Sequence, residues 1–541
     1  MTTTTVAQRV STASGNNSST LTGTGLLLRL YLRRDQRILP VWVFYLGIIP
    51  VFYSVAFGHL YPTEQDRQKF AAASSGFASL EGPLFGTSLG AVTVWWSGIV
   101  YPLIALAAVL TVVRHTRAEE ESGRFELVGA TAIGRCAPLT AALALAVGGV
   151  AVSATITAVG LIAIGRPVTG SIAFGLAIFS AGTVFAAVAA VAAQLSRSAR
   201  PARGIALGAL GVAYGLRAVG DSGSGVLSWF SPLGWSQQLR PFAQERWWVL
   251  VLPAAATTAL LVVAYALVRR RDLDAGLIAE RPGPATAGRR FTGPTALAWR
   301  QHRAAMLAWS VGLGLFGLLI GNTAHAVTTQ FGTNETVNEM IRRGGGGAAL
   351  DQAYIAVSLG EFALFATAYA ISAVLQLHSE EEATRAETLL STATGRTRWA
   401  GGHVLFALLG PAVAMAVCGA LTGLAYGLAI GDVAEGLRES LGGALVQVPA
   451  IWVITAAAML LFGAVPRFAT AAWVVLGFVV TLFIAGFFVG LPQSLLDLNP
   501  FAHLPKLPGG QFELAPIVWL LVVAAALLGG GLVAFRRRDL R

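Results

Sequence analysis

The sequence predicts an all-α polytopic membrane protein with twelve transmembrane helices, arranged as two parallel six-helix repeats with both termini in the cytoplasm. Three observations predict it. Hydrophobic residues make up 55% of the chain and charged ones 12%, with a mean hydropathy of +0.66; a soluble domain typically carries about 25% charged residues. Apolar runs of roughly twenty residues recur from end to end, each long enough to cross a hydrocarbon core of about 30 Å. The chain also repeats itself. EEESGRFELVGATAIGR at 119–135 returns as EEEATRAETLLSTATGR at 380–396, a constant offset of 261 (380 − 119 and 396 − 135). Nine of the seventeen positions match, where ordinary amino-acid usage would give about one by chance.

The order of elements follows from composition. Residues 1–24 are rich in Thr, Ser, Asn and Gly and read as a disordered tail without the apolar core of a signal peptide. Residues 25–273 form the first six-span domain, 274–295 a Pro/Gly-rich cytoplasmic linker, and 296–541 the second six-span domain. Ahead of the first span, Arg29, Arg33 and Arg37 recur every fourth residue opposite Leu27, Leu28 and Tyr31. That pattern predicts a helix lying in the headgroup plane and turning into the bilayer at Pro40. The first-half spans fall near 38–58, 91–113, 137–164, 171–195, 204–220 and 248–268; the fifth is short and holds Arg217. The second-half spans fall near 304–324, 353–377, 402–430, 442–463, 469–491 and 514–535.

Charge orients these spans. Arg29, Arg33, Arg34 and Arg37 precede the first span, Arg197, Arg200 and Arg203 fill the loop after the fourth, and RRRDL follows both the sixth (269–273) and the twelfth (536–540). All lie on one side, which the positive-inside rule makes cytoplasmic. The same rule accounts for the net charge of +11, with basic residues at span ends rather than on a nucleic-acid-binding face. The RRRDL repeats are 267 residues apart, as are Leu30, Arg33 and Trp42 from Leu297, Arg300 and Trp309. The two offsets differ by a few residues redistributed among outer loops. An even number of spans per half gives both copies the same topology, as in transporters built from parallel repeats.

Four features could carry function. The repeated charged element lies between spans two and three and between spans eight and nine. Its glutamates suit a short surface helix with acidic residues near the positive N-terminal end. A solvated loop would need no such charges, and acidic residues contribute little to topology, so a docking partner explains the retained pattern better. Span eight places Tyr354, Ser358, Glu361, Phe365, Tyr369 and Ser372 at helical spacing, with Glu361 about 12 Å below the outer border at 1.5 Å per residue. An ionisable group at that depth is a functional candidate, although a structural pairing, for instance with Arg217, is the alternative. Span two answers with Thr93, Ser97 and Thr111 beside Trp95, Trp96 and Tyr101. The outer stretch LSWFSPLGWSQQLRPFAQERWW, 227–248, reads as an interfacial aromatic belt or an outer gate.

Enzymatic chemistry finds no support. The two cysteines, Cys136 and Cys418, have no disulfide or metal-ligand spacing, and no triad or paired-carboxylate pattern occurs. LPGGQ at 507–511 differs from an ATP-cassette signature at its Pro and falls in an outer loop, and no GxxxxGK[ST] phosphate cradle occurs. The chain is expected to bind no nucleotide or other cofactor.

Taken together, the interfacial helix, six spans per half, EEExxxRxE…GR after the second span and SPLGW…RPF…RWW before the sixth resemble the ABC-2-type (type V exporter-like) permeases of actinobacteria. More narrowly, they resemble the twelve-span subunits that export polyketide antibiotics or serve multidrug efflux and antibiotic resistance. The second-half outer stretch, 496–511, departs from that pattern. The resemblance implies a coupling helix in each half: Glu119, Glu120, Glu121, Arg124, Glu126 and Arg135, then Glu380, Glu381, Glu382, Arg385, Glu387 and Arg396. Two copies of a separately encoded ATPase, carrying ATP and Mg, would seat there and drive outward opening of the plasma-membrane permease. Trp95, Ser97, Tyr101, Tyr354, Ser358, Glu361, Phe365 and Tyr369 become candidates for lining the path of an amphipathic substrate. The competing reading is a proton-coupled secondary transporter of twelve spans. Such a transporter needs intramembrane ionisable residues, of which Glu361 and Arg217 are the only ones found.

Overall fold

The computed structural model describes residues 20–74, 81–123, 132–271, 276–278, 286, 288, 293–331, 349–488 and 492–538. Among them every regular element is a helix. Up to residue 270 these are α1 (Thr24–Asp35), α2 (Ile38–Leu60), α3 (Glu64–Ala73), α4 (Leu89–Trp96), α5 (Val100–His115), α6 (Arg117–Glu121), α7 (Ala137–Ala163), α8 (Val168–Leu195), α9 (Ala199–Ser222), α10 (Pro232–Gln238) and α11 (Val251–Arg270). Beyond it come α12 (Pro294–Phe331), α13 (Leu350–Glu382), α14 (Arg385–Leu390), α15 (Arg396–Ile430), α16 (Val433–Leu445), α17 (Val448–Ala464), α18 (Ala472–Phe488), α19 (Gln493–Leu496) and α20 (Leu514–Arg537). The chain divides into two compact units, residues 1–71 with 81–282, and residues 72–80 with 283–541.

Eleven of the described helical segments are long and apolar enough to cross a membrane. The fifth expected span is α9, a 24-residue helix that is not among the eleven. Its length is sufficient at 1.5 Å per residue. Arg200, Arg203, Arg217 and Asp221, together with its glycines, lower its apolarity. Its buried charge is handled within the helix and the turn after it. The Arg217 guanidinium lies 4.5 Å over the Tyr214 ring and 3.8 Å from the Asp221 carboxylate.

In the first unit α8 is the most enclosed span, packed along α5, α7, α9 and α11. Its alanines, including Ala173, Ala177, Ala181, Ala186 and Ala190, are fully buried. Small side chains let backbones approach, and in lipid that dispersion contact replaces the hydrophobic drive available in water. The span-two region is broken. Ser88 caps α4 by accepting from the Ala91 N–H at 3.1 Å, α4 ends at Trp96, and α5 begins only at Val100. Gly98 in the turn and Pro102, placed where α5 has no N–H bond to lose, account for the break. The equivalent α13 has Leu359 and Ala363 at those positions, 261 residues on, and runs unbroken.

In the second unit α15 packs along α12, α13 and α16. Gly419, Gly423 and Gly427 form a one-turn stripe against α16: a Cβ on Gly423 would lie 2.5 Å from the Gly436 carbonyl oxygen. Spacing of this kind permits close helix crossing in a bilayer. Pro449 in the first turn of α17 separates it from α16, so the tenth expected span comes in two pieces. The outermost spans α11 and α20 are the least enclosed in their units, resting on α8 and α17 respectively.

The start of the chain follows its periodicity with one difference. Leu27 and Tyr31 of α1 are buried against Ala137, Ala141 and Leu145 of α7, while Arg29, Arg33 and Arg37 are exposed. The bend into the membrane comes at Gln36–Arg37, before Pro40, which sits harmlessly in the first turn of α2. In the second half no bend occurs; α12 is one continuous helix of 38 residues.

Candidate functional site

Among the described glutamates of the charged element, Glu119 and Glu120 stand in the first turn of the short α6 and Glu387 in that of α14, as the sequence leads one to expect, whereas Glu380–Glu382 head no helix. Glu119–Glu121 end the short α6, one residue past α5, and Glu380–Glu382 are the last residues of α13. Glu380–Glu382 therefore sit at the negative end of the α13 dipole, opposite to the sequence expectation, and in both units three adjacent acids need cations beside them. The fold supplies them. Arg124 and Glu126 lie outside the described residues.

In the first unit Glu119, 9% exposed, is paired with Arg34 of α1. Glu120 takes a two-pronged contact from Arg271, with Nη2 donating to Oε1 at 2.7 Å and Nη1 to Oε2 at 3.1 Å. Arg117, 1% exposed, donates to the same carboxylate at 2.7 Å and from its Nε to the Ala193 carbonyl of α8. Glu121 is exposed at its edge and accepts the Ala199 N–H at 3.1 Å, at the start of α9. Arg135 donates to the backbone carbonyl of Arg271. Beside this cluster Asp35 accepts from His115 at 2.7 Å, lies 3.2 Å from Arg114, and is 3% exposed. Burial works to raise the Asp35 carboxyl, but the His115 hydrogen bond and the His115, Arg114 and Arg34 charges outweigh it and hold the group below its ordinary value. Tyr31, its ring tilted by 31° against that of His115 at 4.4 Å between centroids, is pushed up to about 12 by burial first and the Glu119 charge second.

The second unit builds the same frame from matched positions. Glu380, 4% exposed, accepts from Gln301 at 3.4 Å, Gln376 at 2.9 Å and Arg385 at 3.1 Å. Gln301 stands 267 residues after Arg34. Glu381 is paired with Arg538, and Arg396 donates to the Arg538 carbonyl at 2.8 Å. Arg538 stands 267 residues after Arg271. The third glutamate differs: Pro466 occupies the position of Ala199 and has no N–H to give. Glu382 is accordingly 70% exposed, with His378 at 3.3 Å. Glu387 is exposed, and Arg385 is 58% exposed at its side chain.

Sequence reasoning thus found the element but missed its partners Arg34, Arg117, Arg271, Gln301 and Arg538. The signal is present in the RRRDL repeat and in the 267-residue offset ahead of the first span, which mark repetition and topology but do not by themselves name the glutamates as partners.

The intramembrane candidates separate by unit. Trp95, Ser97 and Tyr101 are buried in the first; Trp95 donates to the Gly82 carbonyl at 2.7 Å. With Glu81, Phe85, Gln237 and Arg240, Trp95 and Tyr101 border a cavity of about 20 Å³, with room for about one water. In the second unit Ser358 and Tyr369 are buried, whereas Glu361 and Phe365 are exposed with Ser372 on one side of α13. Tyr354 is half-buried between them. Cys136 and Cys418 are free and buried, and among the described residues no cluster of His, Cys, Asp and Glu could hold a metal ion.

The outer stretch folds as a plug within the first unit. Ser231 donates to the Ala213 carbonyl at 2.6 Å and caps α10, Gln237 donates to the Glu81 carbonyl at 2.9 Å, and Arg240 lies 4.2 Å over the Phe85 ring. Arg240, Phe242 and Gln244 all have positive φ (54°, 63° and 59°), a conformation costly for residues with a Cβ. The Phe242 ring fills a notch between Gly90 and Gly170.

A family model described as "Multidrug efflux system permease Rv1217c, C-terminal domain" matches residues 291–536. Over 530 residues the chain is 49% identical to the multidrug efflux system permease protein Rv1217c of Mycobacterium tuberculosis (strain ATCC 25618 / H37Rv), covering 97% of both chains. The chain belongs to this permease family. With its many apolar helices, this Rv1217c-family member is a multi-pass protein of the cell membrane. The family model covers the second charged element, and the full-length match covers both.

Proposed function

We propose that the chain is the permease subunit of an ABC exporter, moving amphipathic drugs or antibiotics outward while two copies of a separate ATPase hydrolyse ATP. The observation that carries this reading is the set of exposed charges that each charged element presents from its internally paired frame, at the Arg-rich end that the positive-inside rule makes cytoplasmic. Buried pairs give each copy a fixed shape, and exposed charges at Glu121 in one, and at Glu382, Arg385 and Glu387 in the other, give it a surface to present. The similarity to a relative named as a multidrug efflux permease points to drugs as the cargo. Glu361 fits a place on the substrate path: an exposed carboxylate in mid-span is costly against lipid and is stable beside water or a cation.

Purification of the chain with and without a cognate cassette ATPase tests the reading. The chain alone should hydrolyse no ATP, and the complex should hydrolyse ATP at a rate that responds to cationic dyes. Glu121→Arg with Glu382→Arg should weaken ATPase retention more than either change alone, because the two elements act together. Stoichiometric retention by the double variant would remove the element from docking. Nucleotide hydrolysis by the chain alone would overturn the division of labour.

A further inference from the structure

We infer that Arg271 and Arg538 are positioning residues that tie each charged element to the last span of its own half, so that movement of the element is carried into α11 and α20. The inference rests on the coupling reading above and adds the route by which the motion leaves the element.

Each arginine is the first residue beyond its helix, and each is held at two points. Its guanidinium grips the second glutamate of the element, and its backbone carbonyl receives the arginine that closes the element. In the first unit the partners are Glu120 and Arg135; in the second they are Glu381 and Arg396. Holding the side chain and the main chain of one residue at once fixes both its position and its orientation. A paired guanidinium and carboxylate adds directionality that a lone ammonium would not. Arg538 is further seated over the rings of Phe462 and Phe535, 4.7 and 5.2 Å from their centroids.

Topology does not require this arrangement. The positive-inside effect depends on the number of basic residues near a span, and Arg269, Arg270, Arg536 and Arg537 supply it from exposed positions. Only the third arginine of each RRR run is turned inward, to 9% exposure at Arg271 and 13% for the side chain of Arg538. The same inward residue, the same glutamate and the same carbonyl contact occur in both units. The glutamate and the closing arginine are 261 residues from their counterparts, and the gripping arginine 267. α11 and α20 are also the least enclosed spans of their units, which leaves them free to follow a pull at their ends.

The test uses the permease co-purified with its ATPase in proteoliposomes. Spin labels at Ala393→Cys and Arg536→Cys, both exposed positions outside the proposed docking charges, report the separation between the second element and the end of α20. With Arg538 intact the separation should stay constant between nucleotide-free and ATP–vanadate states. In Arg538→Gln it should shift or broaden. Ethidium efflux should fall at least tenfold in Arg538→Gln and in Glu381→Gln, and the double variant should fall no further, because all three break one contact. Arg538→Lys, which keeps the charge and loses the fork, should retain part of the transport and guards against misfolding of the Gln variant. Arg270→Gln and Arg537→Gln should transport normally. ATPase retention should be unchanged in every variant. A separation that changes in the intact protein, additive losses, or an Arg537→Gln defect equal to that of Arg538→Gln would each overturn the inference. Loss of ATPase from the Arg538 variants alone would overturn it in favour of docking. Absence of ATPase from the unaltered complex would instead remove the coupling reading, and this proposal with it.

Discussion

Phe242 gives the sharpest stability prediction. Its ring sits in a notch that exists because two helices carry glycine there: a Cβ on Gly170 would lie 2.2 Å from Cδ1 and 2.6 Å from Cε1 and Cγ, and one on Gly90 2.4 Å from Cγ. Carbon atoms prefer about 3.5–4.0 Å, so Gly170→Ala must displace the ring by more than 1 Å. Overpacking of that kind costs about 1–3 kcal/mol. Ejecting a half-buried ring instead forfeits part of the about 1.5–3 kcal/mol that full burial contributes. Either route predicts a loss of about 2 kcal/mol for Gly170→Ala, and a similar loss for Gly90→Ala. The discriminating measurement is a double-mutant cycle on thermal unfolding in detergent. In a Phe242→Ala background, Gly170→Ala should cost less than about 0.5 kcal/mol, because the clash partner is gone. Phe242→Gly should be more stable than Phe242→Ala by about 1 kcal/mol, since φ at this position is 63° and glycine adopts it freely. Gly208→Ala, which meets nothing within 4 Å, is the control. Additive losses for Gly170→Ala and Phe242→Ala would refute the knob-and-notch account.

Asp35 makes the seating of α1 on the charged element dependent on pH. Its carboxyl is held below its ordinary value, so its contribution is fully present above the unfolded value of about 3.9 and is lost as pH falls through the lower folded value. Proteolytic protection of α1 should therefore be flat through pH 5 and decline only below pH 4, and Asp35→Asn should lower stability by about 2 kcal/mol at neutral pH. Glu380→Ala removes a buried acceptor of three hydrogen bonds and should cost about 1–3 kcal/mol, whereas Glu382→Ala, 70% exposed, should change the unfolding temperature little. Gly423→Ala drives a Cβ to 2.5 Å from the Gly436 carbonyl and should cost about 1–3 kcal/mol by separating α15 from α16, while Gly442→Ala meets nothing within 4 Å and should be neutral.

Most of the helical spans were legible because apolar length is a local signal. The fifth span was the weak point, and its structure explains why. α9 carries charges that it answers through Tyr214, Asp221 and Ser228, which a hydropathy average counts only as polarity. The break after Trp96 had its cues in Gly98 and Pro102, but a twenty-residue apolar run masked them. Least legible was the interior of the charged element. Glu119 meets Arg34 across 85 positions, Glu120 meets Arg271 across 151, and Glu381 meets Arg538 across 157. No periodicity reaches that far. What did reach was the duplication, since partners that keep one frame in two copies must recur together, as the glutamates and the RRR runs do.

Recurrence alone, however, does not separate a frame from a docking surface. Glu119, Glu120 and Arg135 recur as Glu380, Glu381 and Arg396, and each has an internal contact that accounts for its retention. Their identity across the halves is therefore not evidence of an external partner. The third glutamate bears differently on the question. Glu121 receives an N–H that Pro466 cannot offer to Glu382, so the internal reason for that residue is present in one half and missing in the other. A glutamate stands there in both halves all the same. Glu382 and Glu387 are exposed, and among the described residues the one charged partner of either is His378, one turn back from Glu382 on its own helix. Residues of this kind, repeated and exposed but not needed by the frame, carry the argument for a partner. They are also the ones at which reversing charge should disturb assembly while leaving the fold intact.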